Sequence, residues 1–256
     1  MKKGICLLSQ IPGRKKAADS SEMITQLLFG ETFEVLEEQE KWILIKQSLD
    51  DYESYLDKKQ CTFISNSTYD LINSETPKYS GDLLQIITNK VSGEVFPLVI
   101  GSRLPLIKDS TLIIENQSFE FDGTVIEKVE CNRVLELAFS YLNSPYLWGG
   151  KSPMGIDCSG FTQSVYKLLG TNIPRDAYQQ AEIGATLNFV EEAKAGDLAY
   201  FDNDEGRIIH VGIMMGNGKI IHASGKVRID LIDHYGIYNE ETKSYSHKLR
   251  LIKSLF

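Results

Sequence analysis

The chain has 256 residues, of which 42% are apolar and 24% charged, and a net charge of -8. That length suits two or three compact units rather than one small module, and the composition is that of an ordinary soluble globular protein. The acidic balance argues against a nucleic-acid or anionic-surface binder, because such proteins carry a basic face.

At the N-terminus two lysines precede Ile5 to Leu8, an apolar stretch too short for the core of a signal peptide, so it reads as an opening strand. The cytoplasm is the expected compartment, although a chain trimmed of its leader would look the same. No apolar run approaches a membrane span. Cys6, Cys61, Cys131 and Cys158 are far apart, with no Cys-x-x-Cys pair. Free thiols are therefore expected rather than a disulfide framework.

The first half reads as β-rich. Leu27 to Phe29, Thr32 to Leu36, Lys41 to Lys46 and Tyr52 to Leu56 are short apolar or alternating runs broken by polar clusters, the pattern of a small barrel. A second set follows at Asp82 to Ile87, Phe96 to Gly101, Leu112 to Ile114 and Phe119 to Phe121, with a turn at Asp122-Gly123. The polar stretch from Asn73 to Gly81 reads as a linker between two barrels. The predicted division is 1–64, a barrel; 65–128, a second barrel or β-rich linker domain; and 129–256, the chemistry-bearing domain.

The pattern changes near Glu130. Val134, Leu135, Ala138, Tyr141 and Leu142 recur at helical spacing, and Pro145 limits continuation. A second helix is predicted from Asp157-Cys158, with Phe161, Val165, Leu168 and Leu169 on one side and Gly170 at its end. Strands are predicted at Asp197 to Phe201, Ile208 to Met215 and Lys219 to Ala223. A cysteine-bearing helix packed on an antiparallel sheet is an α+β arrangement.

Asp157 is placed to cap that helix, putting Cys158 in its first turn, where unpaired N–H groups and the positive dipole end favour a thiolate. A cysteine with an ordinary pKa of about 8.5 needs such help, and a nearby imidazole would complete a thiolate–imidazolium pair. His210 lies mid-strand among apolar neighbours, and His222 lies on the next strand. A plain two-residue Asn217-Gly218 turn would place His222 opposite Ile213, on the face away from His210. A three-residue Gly216-Asn217-Gly218 loop with a bulge places it opposite Gly212, on the same face. That register is predicted, with Gly218 at positive φ and open space beside His210. His210 would then be general base and acid, and His222 would fix its tautomer. The backbone N–H of Cys158 and the hydroxyl of Tyr146 are candidate oxyanion donors.

Each of these residues has a structural alternative. Cys158 would be a buried thiol, the histidines core, surface or metal-binding residues, Asp157 a cap alone, and Tyr146 and Trp148 core aromatics. The spacing does not match a zinc site, so no metal or cofactor is expected.

Taken together, Pro145 to Gly150, Gly155 to Phe161, Ile173 to Asp176, Ala195 to Leu198, His210 to Ile213 and Ile221 to Ser224 resemble the NlpC-type cell-wall peptidase family, a compact relative of papain. The resemblance covers residues 130 to 256 and implies Cys158 as nucleophile, His210 as base and His222 as orienting residue. Ser21 to Glu31 is similar to the bacterial SH3-like barrels of a subgroup of these enzymes. The subgroup cleaves between γ-D-glutamate and a diamino acid in murein peptides with a free N-terminal L-alanine. On that analogy Asp157 receives the substrate amine, with Glu22 and Tyr52 as further contacts, and Tyr146, Trp148, Ser159 and Asp176 line the subsite. Ala177 stands where a serine is frequent, removing one side-chain hydrogen bond to substrate. The expected function is a recycling endopeptidase for short murein peptides, with no nucleic-acid or membrane partner; oligomeric state is left open. The rivals are an extracellular hydrolase or amidase acting on intact wall, and a wall-binding protein without catalysis.

Overall fold

The computed structural model describes residues 1–127 and 129–256. They form two compact units, Met1–Lys128 with Lys151–Pro153, and Val129–Gly150 with Met154–Phe256. Among the described residues no helix is long and apolar enough to cross a membrane.

The first unit opens with β1 (Lys3–Ile5), β2 (Gln10–Arg14), β3 (Met23–Leu28), β4 (Thr32–Glu38), β5 (Trp42–Gln47), β6 (Glu53–Asp57) and β7 (Thr62–Ile64). They make one sheet in the order β3-β2-β6-β5-β4-β1-β7. Along β5, burial alternates, with Ile43, Ile45 and Gln47 turned inward, as expected of a strand with one face on a core. Cys6, Ile11, Leu27, Phe33, Val35 and Leu56 complete that core.

Next come α1 (Asn66–Ser74), β8 (Tyr79–Ser80), β9 (Leu84–Asn89), β10 (Val95–Val99), β11 (Thr111–Ile114), β12 (Gln117–Glu120) and β13 (Val125–Ile126). Four of these strands form a sheet ordered β10-β9-β12-β11, and β13 pairs with β8. The short β14 (Lys151–Ser152) also belongs to this unit. One hydrophobic cluster joins Ile5, Phe29 and Ile64 to Tyr69, Ile72, Leu98 and Phe119, so the two sheets share a core.

The reading of Asn73 to Gly81 as a linker is corrected here. Asn73 lies in the last turn of a helix absent from the sequence reading, and its Oδ1 accepts from Thr32 Oγ1 and from Arg103 Nη1, each at 3.0 Å. Ser65 caps that helix by accepting from the Thr68 N–H at 3.1 Å, and its inward residues are Tyr69 and Ile72. Two apolar positions in nine residues are too few for a helical period to show.

The second unit contains α2 (Val134–Phe139), β15 (Gly155–Ile156), α3 (Cys158–Leu168), α4 (Ala177–Gln180), β16 (Ala185–Leu187), β17 (Leu198–Asp202), β18 (Ile208–Gly216), β19 (Lys219–Ser224), β20 (Lys226–Ile232), β21 (Gly236–Asn239) and β22 (Ser244–Ser254). The antiparallel order is β16-β22-β17-β18-β19-β20-β21, and β21 pairs again with β22, closing six strands into a ring. Ala199, Phe201, Met214, Ile220, Ile232, Ile237 and Ile252 pack together within it. All five residues of β17 and all eleven of α3 are buried. A strand reads as a continuous buried run when both its faces are covered.

The β18–β19 hairpin has the predicted register, His222 opposite Gly212, but reaches it by another route. The turn has two residues, Asn217 and Gly218, both at positive φ (52° and 67°), between Gly216 and Lys219. The residue that shifts the register is Met215, taken up as a bulge inside β18. A bulge in the strand moves the pairing by one residue as effectively as a longer loop, and nothing local in the sequence separates the two.

Candidate active site

α3 begins as its sequence requires. Asp157 has extended backbone, and its Oδ1 accepts from the Gly160 N–H at 2.6 Å, satisfying one orphan donor of the first turn. Gly160 admits no side chain, because a Cβ there would lie 2.3 Å from the Gly150 carbonyl oxygen. Gln180 braces the same turn, its Nε2 donating to the carbonyls of Ser159 (3.1 Å) and Pro174 (2.7 Å).

Asp157 is more heavily engaged than a cap. Arg175 donates from Nη1 to Oδ1 at 3.0 Å and from Nη2 to Oδ2 at 2.6 Å, and the Gly149 N–H donates to Oδ2 at 2.8 Å. Ser159 Oγ adds a longer contact to Oδ1 at 3.4 Å and accepts from Arg175 Nη1 at 3.0 Å. Asp157, Ser159 and Arg175 are all buried. Asp157, the residue expected to receive a substrate amine, is thus held in a buried brace with Arg175. A carboxylate has about four lone-pair directions, and here the protein's own donors take them. Ser159, expected to line the subsite, is part of the same brace.

Cys158 is buried at the start of α3, with the backbone N–H groups of Ser159 and Val211 directed at its sulfur. Val211 is the neighbour of His210 on β18, so the sulfur sits against the strand that carries the imidazole. Burial pushes the Cys158 thiol up to about 12, with the Asp157 carboxylate adding to the rise, while the Val211 N–H, Arg175 and the Ser159 N–H pull the other way. Burial, then His222 and His247, hold the His210 imidazole well below its ordinary range. Burial thus opposes the charged form of both groups, against the thiolate–imidazolium pair that the helix start favours.

From His210 a buried polar chain runs inward. His210 Nε2 lies 2.8 Å from His222 Nδ1, and His222 Nε2 lies 2.9 Å from Asp230 Oδ2. The predicted open space beside His210 is filled: a Cβ on Gly212 would be 2.7 Å from Ile220 Cδ1 and 2.8 Å from His222 Cβ. Gly212 is needed for the close approach of His222 itself.

Two members of this cluster escaped the sequence reading. Asp230 lies on β20, where Val227, Ile229 and Leu231 alternate and would put Asp230 outward; instead Asp230 is buried and Ile229 and Leu231 are exposed. His247 lies on β22, its ring stacked on His210 with centroids 4.1 Å apart and planes 24° from parallel. Burial, then His222, lowers its pKa to about 4. Both strands follow the last recognised motif; β20 reaches the cluster by pairing with β19, and β22 by pairing with β17.

Tyr146 is half-buried; burial and then the Cys158 sulfur push its phenol upward, keeping it a hydrogen-bond donor at neutral pH. Trp148 is exposed, and Asp176, partly buried, stands at the start of α4 with its N–H donating to Gln179 Oε1 at 3.3 Å. Glu22 and Tyr52 belong to the first unit, where Glu22 Oε2 accepts from Lys15 Nζ at 3.0 Å and Tyr52 N–H donates to Asp50 Oδ1 at 3.1 Å. Among the described residues no three histidine, cysteine or carboxylate side chains are placed to hold a metal ion.

Residues 143–248 match the NlpC/P60 family, and residues 13–60 match the bacterial dipeptidyl-peptidase Sh3 domain. A γ-D-glutamyl-L-lysine dipeptidyl-peptidase of Bacillus subtilis is 32% identical over 215 residues, covering 78% of this chain and 71% of its own length. The chain belongs to the NlpC/P60 family. It is a cysteine peptidase with a bacterial SH3-type domain in its first unit. Dipeptidyl-peptidase 6 of Lysinibacillus sphaericus is 26% identical, covering 86% of this chain and 89% of its own. A crystal structure of an NlpC/P60 family protein from Bacillus cereus superposes with a TM-score of 0.83 at 21% identity, over 98% of this chain and 99% of that one, and so shares the fold.

Proposed function

We propose that this peptidase hydrolyses the γ-D-glutamyl–diamino acid bond of short murein peptides bearing a free N-terminal L-alanine, with Cys158 as nucleophile. One observation carries the catalytic assignment: Cys158 begins α3 against Val211, beside a buried His210–His222–Asp230 chain. The bond assignment is supported by the relatives from Bacillus subtilis and Bacillus cereus, both named γ-D-glutamyl-L-lysine dipeptidyl-peptidases.

In this reading substrate binding sets the γ-carbonyl beside the sulfur. Cys158 attacks as His210 takes its proton, so the two opposite charges arise together and each offsets the burial penalty of the other. The Cys158 N–H and Tyr146 hydroxyl meet the developing oxyanion. His210 then protonates the departing diamino acid amine, leaving a thioester on Cys158. Water activated by His210 releases L-Ala-γ-D-Glu and restores the thiol. With Asp157 committed to Arg175, the alanine amine is assigned to Asp176, and Trp148 lines the subsite. Recycling of free peptides in the cytoplasm belongs to the same proposal.

The test is hydrolysis of L-Ala-γ-D-Glu-L-Lys and its meso-diaminopimelate counterpart, each with and without N-acetylation, alongside Cys158→Ala. Release of L-Ala-γ-D-Glu from free-amine peptides alone, abolished by the substitution, is expected. Cleavage of intact murein in preference to these peptides would discard the recycling reading.

A further inference from the structure

We propose that Asp230 is a positioning residue that fixes the tautomer of His222 and, through it, the nitrogen with which His210 accepts a proton. The proposal rests on the cysteine-peptidase reading of this site. A carboxylate only accepts hydrogen bonds, so Asp230 Oδ2, 2.9 Å from His222 Nε2, places the His222 proton on Nε2. With its proton on Nε2, the other ring nitrogen of His222, Nδ1, is the acceptor. Across the 2.8 Å gap, that nitrogen requires a donor, so His210 carries its proton on Nε2. Nδ1 of His210 is left as the basic atom. Reversing either tautomer would set two N–H groups, or two lone pairs, against each other in a buried site.

Arg228 keeps Asp230 an acceptor. Its Nη2 donates to Oδ1 at 2.9 Å and its Nε lies 2.7 Å from Oδ2, so the guanidinium charge is held against both carboxylate oxygens. Burial works against the Asp230 charge, but hydrogen bonds from His222 and Arg228 outweigh it and hold the carboxyl below its ordinary range. Arg228 is itself directly paired with His222 across β19 and β20, and its Nη1 reaches Glu241 at 3.4 Å. The whole chain is therefore built on adjacent strands of the closed sheet. Partners that orient a functional histidine in this way typically change activity roughly 10- to 100-fold when removed.

The chain contains four histidines, His210, His222, His234 and His247, which makes long-range proton–nitrogen NMR of the unmodified protein a direct test. His222 and His210 are both expected as Nε2–H tautomers; a proton on His222 Nδ1 overturns the proposal without any variant. Asp230→Ala is expected to give mixed His222 tautomers and a kcat on the peptide lower by roughly 10- to 100-fold, with KM little changed. Alkylation of Cys158 by iodoacetamide, followed by mass spectrometry, should slow in parallel. Asp230→Asn, which retains an acceptor oxygen, should restore most of both rates. Wild-type kcat and an unchanged tautomer in Asp230→Ala would sink the idea. Tautomers and alkylation need no substrate, so an inactive wild-type protein would count against the peptide reading and leave the test of Asp230 intact.

Discussion

Replacing Gly212 with alanine isolates the spacing on which the His210–His222 contact depends. The new Cβ would lie 2.8 Å from His222 Cβ, against 3.4 Å for the start of ordinary contact. His222 must therefore retreat by about 0.6 Å, which opens its 2.8 Å bond to His210 toward the limit of hydrogen bonding. Ile220 is pressed as well, its Cδ1 at 2.7 Å and Cγ1 at 2.9 Å. Overpacking of this kind costs about 1–3 kcal/mol. In a unit of this size that lowers Tm by roughly 2–4 °C per kcal/mol. Misplacement by about 1 Å in an active site costs on the order of a hundredfold in rate, so kcat should fall roughly 10- to 100-fold. Steady-state hydrolysis of the free-amine peptide, run well below Tm, reads the effect. Gly212→Ala with Ile220→Val removes the Cδ1 contact and should regain stability without regaining kcat, because His222 Cβ is still displaced. Wild-type kcat in Gly212→Ala, or recovery of kcat together with Tm in the double variant, would refute the reasoning.

Arg175→Ala should destabilise the protein by about 3–5 kcal/mol, because it strands the buried Asp157 carboxylate; urea unfolding reads this, and a loss below about 1 kcal/mol would contradict it. Acidification should weaken the fold. His210 and His247 have depressed folded pKa values, His247 about 4 against 6.5. The unfolded chain therefore binds more protons, and stability is full above about 6.5 and lost as pH falls toward about 4. Thermal melts across that range should show the decline, and His247→Phe should flatten it; an unchanged slope would remove His247 as its source. Tyr146→Phe should lower kcat on the order of a hundredfold with little change in KM, and a rise in KM alone would move Tyr146 from oxyanion contact to substrate binding.

The sequence by itself determined the cysteine, its cap and the β-rich first half. Asp157-Cys158-Ser159-Gly160 followed by an apolar helical face carries its own start signal, and the Gly160 requirement is steric. It also determined that His222 faces the same way as His210, because strand alternation permits few registers once both residues share a site. Whether a loop or a bulge produced that register was a tertiary matter: Met215 enters β18 as an extra residue, and its side chain carries no mark of it.

Tertiary structure also decided what surrounds the reactive groups. Arg175 lies 18 residues from Asp157 and was read as part of a motif, yet it is what pairs with that buried carboxylate. Asp230 and His247 had no legible signal. The first sits in an alternating apolar strand whose pattern points it outward, and the second is the neighbour of a serine in a polar run. The β19–β20 pairing carries Asp230 to His222, and the pairing of β22 with β17 and β21 carries His247 to His210. Local patterns record how each strand or helix is made; they hold no record of which distant strand completes a ring. The upward shift of the Cys158 thiol and the downward shift of the His210 imidazole have burial as their first cause, a property of the whole unit rather than of one helix.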